Sequence, residues 1–129
     1  MSLEMYSEVI LDHFKNPRNF GNLDNASAHA KDLNPACGDV VEMFLRIEGS
    51  KITEVKFDGQ GCAISQASAS LLTERVREME IERAAKIPNE EAAEMIGVQL
   101  SPMRLKCALL PFKVLKLAVL NYLGKNHGT

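Results

Sequence analysis

No CxxC pair occurs anywhere in this chain. That absence excludes zinc fingers and thioredoxin-like redox motifs on spacing alone. The cysteines number three, an odd count that does not make a disulfide framework, so thiols or metal thiolates in a reducing compartment are expected. Charge of one sign is also scarce. Fifteen basic residues and seventeen acidic ones are interspersed, and the net charge of -2 gives no broad footprint for a phosphate backbone, which argues against nucleic-acid binding. The chain does not open on a charged stretch followed by an apolar run and a cleavage site, and its apolar C-terminal stretch is interrupted by Lys113 and Lys116. That stretch is expected to be too short to span a bilayer, so a cytoplasmic protein without a membrane partner is expected. Repeats, low-complexity tracts and linkers are missing too.

What is present suits one folded domain over residues 1–129. A chain of this length removes roughly two-thirds of its unfolded surface from water without disulfides. With 46% apolar and 25% charged residues, no long segment needs disorder to explain it.

Leu3, Tyr6, Ile10 and Phe14 recur at helical spacing until Asn16-Pro17, predicting an N-terminal helix. From there to about Asn34 no period is visible. Val41, Met43, Leu45 and Ile47 alternate with Glu42, Phe44 and Arg46, and Ile52 to Asp58 follows after Glu48-Gly49-Ser50-Lys51, which predicts a β-hairpin. Helices are predicted over 63–79, 81–87 and 90–96, with Ser101-Pro102 as a cap and first-turn pair. Proline inside a helix costs about 3 kcal/mol or more, so the last helix is expected to start between Cys107 and Pro111 and to end near Gly124. Strands precede most helices, and the fold class is α+β: a small antiparallel sheet with helices packed on one face.

Each cysteine stands where glycine, proline or a helix start bends the chain: Asn34-Pro35-Ala36-Cys37-Gly38-Asp39, Gly59-Gln60-Gly61-Cys62 and Arg104-Leu105-Lys106-Cys107. Free cysteine is among the most buried residue types, so three small core residues is the competing reading. The bends around all three weigh against it. Three thiolates and the Asp39 carboxylate make four ligands, enough for a tetrahedral metal site, and an oxygen among sulfurs suits exchangeable binding. Cys62 and Cys107 are both expected just before helices, where unpaired N–H groups and the dipole favour a thiolate, with Lys106 lowering the Cys107 pKa further. His13, His29 and His127 have no partner at ligand spacing and are left unassigned.

At these residues the sequence resembles the iron-sulfur cluster scaffold family of IscU, SufU and the N-terminal domain of NifU. The matching segments are Tyr6-Ser7-Glu8 through Asn16-Pro17-Arg18-Asn19-Phe20-Gly21, then Asn34 to Asp39, Gly59 to Ser65 with Ala67-Ser68-Ala69-Ser70, and Arg104 to Cys107. The resemblance implies a non-enzymatic scaffold that builds a transient 2Fe-2S cluster and delivers it to apo iron-sulfur proteins. Cys37, Cys62 and Cys107 would be cluster and persulfide ligands, with Asp39 a ligand or the labilising group. Sulfur would come from a cysteine desulfurase or as free sulfide, and Zn2+ or Fe2+ could occupy the same site. A homodimer is expected to shield the loaded cluster. Lys106 stands where the IscU branch has His, as in the SufU branch, and this favours the alternative of a zinc-dependent sulfurtransferase accepting persulfide sulfur. The SufU insert is missing, because only 44 residues separate Cys62 from Cys107 (107 - 62 - 1 = 44). Where some IscU proteins carry a chaperone-engaging Leu-Pro-Pro-Val-Lys segment, this chain has Leu100-Ser101-Pro102-Met103-Arg104, which leaves an Hsp70-type partner open.

Overall fold

The computed structural model describes residues 8–35, 37–97 and 99–127, with side chains to 124. Leu3 and Tyr6 of the expected N-terminal stripe lie outside that set. Eight elements follow in chain order: α1 (Glu8–Lys15), β1 (Ala28–Asn34), β2 (Asp39–Glu48), β3 (Lys51–Gln60), α2 (Ala63–Val76), α3 (Ile81–Ala85), α4 (Asn89–Ile96) and α5 (Pro102–His127). The three strands form one antiparallel sheet in the order β1-β2-β3, as the α+β reading expects.

Alternation along β2 sets the inner face. Asp39, Val41, Met43, Leu45 and Ile47 are buried, while the residues between them are half-buried. Met43 stands opposite Phe57, and Leu45 opposite Val55. Between Arg46 and Ile47 the register slips by one, so Ile47 faces Ile52. That irregularity lets Ile52 and Val55 both point inward although they are three apart, an offset that plain alternation forbids.

The segment with no visible period forms β1. Its inward residues are Ala28 and Ala30. Alanine is a weak strand former, which hides the pattern, but its small side chain lets α5 pack closely on this strand.

Helix α2 lies at the centre of the helical layer, in contact with α1, α5 and the sheet. Ser65, Ala67, Ser68, Ala69 and Ser70 are all buried, and small side chains let neighbouring helices approach on several sides. Buried hydroxyls need partners. Ser68 donates to the Ala108 carbonyl at 2.7 Å, and Ser70 Oγ accepts from the Arg18 N–H at 2.8 Å while lying 2.7 Å from His13 Nδ1. The outer edge of β3 is covered at both ends: Phe57 exchanges hydrogen bonds with Asn19 and Gly21, and Ile52 with Glu78 and Met79. Covering an edge removes a template for aggregation.

Two expectations about the last helix are overturned. It starts at Pro102, where Ser101 Oγ accepts from the Arg104 N–H at 3.3 Å, and it continues past Gly124 to His127. Pro111 therefore sits in its interior, removing the hydrogen bond to the Cys107 carbonyl. Burial of Phe112, Val114, Leu115 and Val119 offsets that loss, each worth roughly 1.5–3 kcal/mol. Pro102–Gly124 is also long and apolar enough, by length and composition, to cross a bilayer, contrary to the expectation; half of its most apolar stretch is buried in the fold.

His13 on α1 is buried, with Glu74 3.8 Å from its Nε2 and Arg18 and Asp12 also acting on it. Burial, then Arg18, pushes its pKa below 6.5, against the opposing pull of Glu74 and Asp12. Below about pH 6.5 the unfolded chain therefore takes up a proton that the folded chain refuses, and stability falls with acidification until the lower folded pKa is passed. Chemical denaturation from about pH 8 to about pH 5.5 should show a steeper loss for the wild type than for His13→Asn. Equal slopes would remove His13 as a cause.

Candidate metal centre

Three chain segments converge at one end of the sheet. The turn after β1 is closed by the Asn34 carbonyl, which accepts from the Cys37 N–H at 3.2 Å and the Gly38 N–H at 2.8 Å. Gly38 adopts a φ of +75°, a conformation that costs glycine little and reverses the chain between Cys37 and Asp39. Cys37 is thereby half-exposed on the turn, while Asp39, the first residue of β2, is wholly buried.

The second segment leads from β3 into α2. Cys62 is the N-cap of α2, and its Sγ accepts from the Ser65 N–H at 3.5 Å. Its own N–H donates to Asp39 Oδ1 at 2.8 Å, and its Sγ lies 3.7 Å from Asp39 Oδ2. Gly61 makes this approach possible. A Cβ at residue 61 would run into the Asp39 carboxylate, and the φ of +144° is one that L side chains rarely adopt.

The third segment is the second turn of α5. Cys107 is wholly buried beside Ile10, Ile64, Ala67, Ile96 and Ala108, and its Sγ is 3.4 Å from Cys37 Sγ. It does not precede a helix, as expected from the sequence, but sits inside one, and its pKa moves the opposite way. Burial pushes the Cys107 thiol far above the ordinary thiol value, and hydrogen bonding with Asp39, Cys37 and Cys62 adds to that. Lys106 is exposed. It borders a groove of about 540 Å³ lined also by Leu33, Pro35 and Lys113, and makes no described contact with the three sulfurs.

One ligand atom each from Cys37, Asp39 and Cys107 lies within 4.8 Å of the others, and Cys62 Sγ adjoins the same carboxylate. All four residues expected from the sequence are thus brought together. His13 lies against Ser70, and His29 stacks on Phe44 at the sheet surface. The side chain of His127 is outside the described set. Sequence reasoning did not foresee the Asn34 amide, whose Nδ2 is 3.7 Å from Cys37 Sγ; its position three residues before Cys37, at a turn, was the available signal.

A wholly buried carboxylate is costly unless a cation compensates it. Among the described residues no lysine or arginine pairs with Asp39. A metal ion among three sulfurs and this oxygen would supply the missing positive charge, and a donor set of that kind suits iron or zinc.

An α+β fold with three cysteine sulfurs and one buried carboxyl group gathered at one end of its sheet has the donor set of a small metal-handling protein. Comparison with known proteins narrows the class. The chain matches the NifU-like N-terminal domain over residues 5–129, and it belongs to that family. It is 36% identical to the zinc-dependent sulfurtransferase SufU of Bacillus subtilis, over 95% of this chain and 94% of that one. It is 35% identical to the iron-sulfur cluster assembly scaffold protein IscU of Escherichia coli, over 95% of this chain and 97% of that one. The crystal structure of a putative iron-sulfur cluster assembly scaffold protein for the SUF system of Fervidobacterium islandicum superimposes with a TM-score of 0.82. It is 32% identical, with 92% of this chain and 99% of that one covered.

Gly61→Ala tests the close approach of residue 61 to Asp39. The forced backbone conformation should cost about 1–3 kcal/mol, and the added methyl should displace the carboxylate. We expect a folded protein with a lower thermal midpoint and cobalt(II) binding weakened about tenfold or more, read from thiolate-to-metal absorption. Wild-type cobalt affinity would show that the contact does not shape the site.

Proposed function

We propose that this chain is a single scaffold domain, residues 1–129, that assembles a transient 2Fe-2S cluster on Cys37, Asp39, Cys62 and Cys107 and passes it to apo iron-sulfur proteins. The observation that carries the proposal is the convergence of three thiols on one wholly buried carboxylate. Scaffold function among the family's relatives supports it. The protein is a carrier and not an enzyme: the iron and sulfide are its cargo. It works in the cytoplasm with a cysteine desulfurase, or free sulfide, as the sulfur source.

Each residue has a part in that cycle. Cys37 and Cys62 are half-exposed, so incoming iron and sulfur can reach them. Cys107 closes the site from the apolar side. Asp39 supplies the weak ligand, since a carboxylate oxygen holds iron less tightly than a thiolate does. The half-open face would leave a cluster exposed to water and oxygen, and a second copy of the chain covers it in the loaded state.

Anaerobic reconstitution with iron(II) and sulfide tests this reading. Iron and acid-labile sulfide should appear in equal amounts with thiolate-to-iron charge-transfer bands, and the loaded form should sediment as a dimer. A loaded monomer would remove the dimer. Stoichiometric zinc with no sulfide incorporated would instead favour the sulfurtransferase reading, in which the zinc-loaded protein stimulates a desulfurase without iron. The 36% identity to the Bacillus subtilis sulfurtransferase keeps that second reading in view.

Asp39→Ala tests the labilising role separately. Release of the cluster to a chelator should slow by roughly tenfold, equivalent to about 1.4 kcal/mol on the barrier. Unchanged release kinetics would assign Asp39 to positioning Cys62 alone.

A further inference from the structure

Cluster sulfide is fully reduced, whereas sulfur delivered as a persulfide is sulfane sulfur, two electrons more oxidised. A scaffold fed by persulfide therefore needs two electrons for every sulfur it incorporates. Two thiols that join as a disulfide release that number of electrons. We propose that Cys37 and Cys107 form an internal dithiol that reduces sulfane sulfur to sulfide inside the site. The inference rests on the scaffold reading and specifies how its sulfur is supplied.

The three thiols are not equivalent. Cys37 and Cys107 face each other at 3.4 Å. Asp39 adjoins both Cys62 and Cys107, but Cys62 is the N-cap of α2 and its sulfur is held by the Ser65 N–H as well. A disulfide bond is about 2.0 Å long, so a modest movement of the turn that carries Cys37 closes the pair. Access assigns the order. Cys37 is half-exposed on its turn and within reach of a donor, whereas Cys107 has no exposed surface.

The persulfide forms on Cys37, as Cys37–S–SH. Cys107 attacks the inner sulfur as its thiol proton, retained until then, passes to the departing outer sulfur, and the bond between the two persulfide sulfurs breaks. The products are the Cys37–Cys107 disulfide and H2S. The two thiol sulfurs are oxidised and the sulfane sulfur is reduced. Sulfide is set free beside Asp39 and Cys62, where iron would be held. The disulfide removes two of the four proposed ligands, so a dithiol reductant of the thioredoxin class must reopen it before the site holds metal again.

The full chain, freed of metal by chelation under anaerobic conditions, is treated with inorganic polysulfide and desalted. Released sulfide is then followed over time, and alkylated samples are mapped by mass. Sulfide should appear in step with a Cys37–Cys107 disulfide. In Cys107→Ser, and in Cys107→Ala as a second small replacement, the persulfide on Cys37 should persist and sulfide release should fall by about a hundredfold, because an oriented neighbour is lost. Three results would overturn the proposal: no persulfide on Cys37, a persulfide moved to Cys107 without sulfide release, or release from the wild type no faster than from the variants. Iron and free sulfide bypass this step. Cluster formation from them with no internal reduction sinks only this inference, whereas failure to form a cluster despite internal reduction sinks the scaffold reading.

Discussion

The hydrogen bond from the Cys62 N–H to the buried Asp39 carboxylate holds the site together. It joins the first residue of β2 to the N-cap of α2, two points 23 residues apart, at 2.8 Å. The strand order, the turn at Gly38 and the missing side chain at Gly61 all serve this contact. Without it the sheet and the helical layer would still pack, since their core of Met43, Leu45, Phe57 and Leu72 lies elsewhere. The end of the sheet would lose the geometry that brings sulfur to oxygen. A buried acid is normally a liability for a small domain. Its position beside three thiols makes that liability chemically useful, because a captured cation would relieve it.

The thiols owe their differences to the elements that carry them. A turn leaves Cys37 half-exposed, a helix cap holds the Cys62 sulfur against an N–H, and a helix interior buries Cys107. Identical side chains thereby acquire different reach. The apolar wall of Ile10, Ile64 and Ile96 adds the low-polarity surroundings that keep the Cys107 proton in place.

Much of this was legible in the sequence. The β2–β3 hairpin was visible because its inward positions are large and apolar, and Cys37, Asp39 and Cys62 stood out because glycine and proline surround them. The strand β1 was hidden, since Ala28 and Ala30 carry no strand signal and are inward only because α5 needs room above them. The place of Cys107 inside a helix is hidden for a related reason. An interior proline is disfavoured in an isolated helix, whereas tertiary burial around Phe112 and Leu115 overrides that cost at Pro111. The slip between Arg46 and Ile47 likewise depends on pairing across strands, which local periodicity does not encode.

Pro111 leaves one further mark on the molecule. A proline has no N–H, so the Cys107 carbonyl lacks the donor that would weld its turn to the next one. The ladder between the first two turns of α5 and the remainder is therefore one bond short at this point. Local opening follows such gaps, because a segment short of backbone bonds needs less free energy to separate than the helix behind it. The third wall of the site thus meets the rest of its helix across the weakest rung of the backbone ladder.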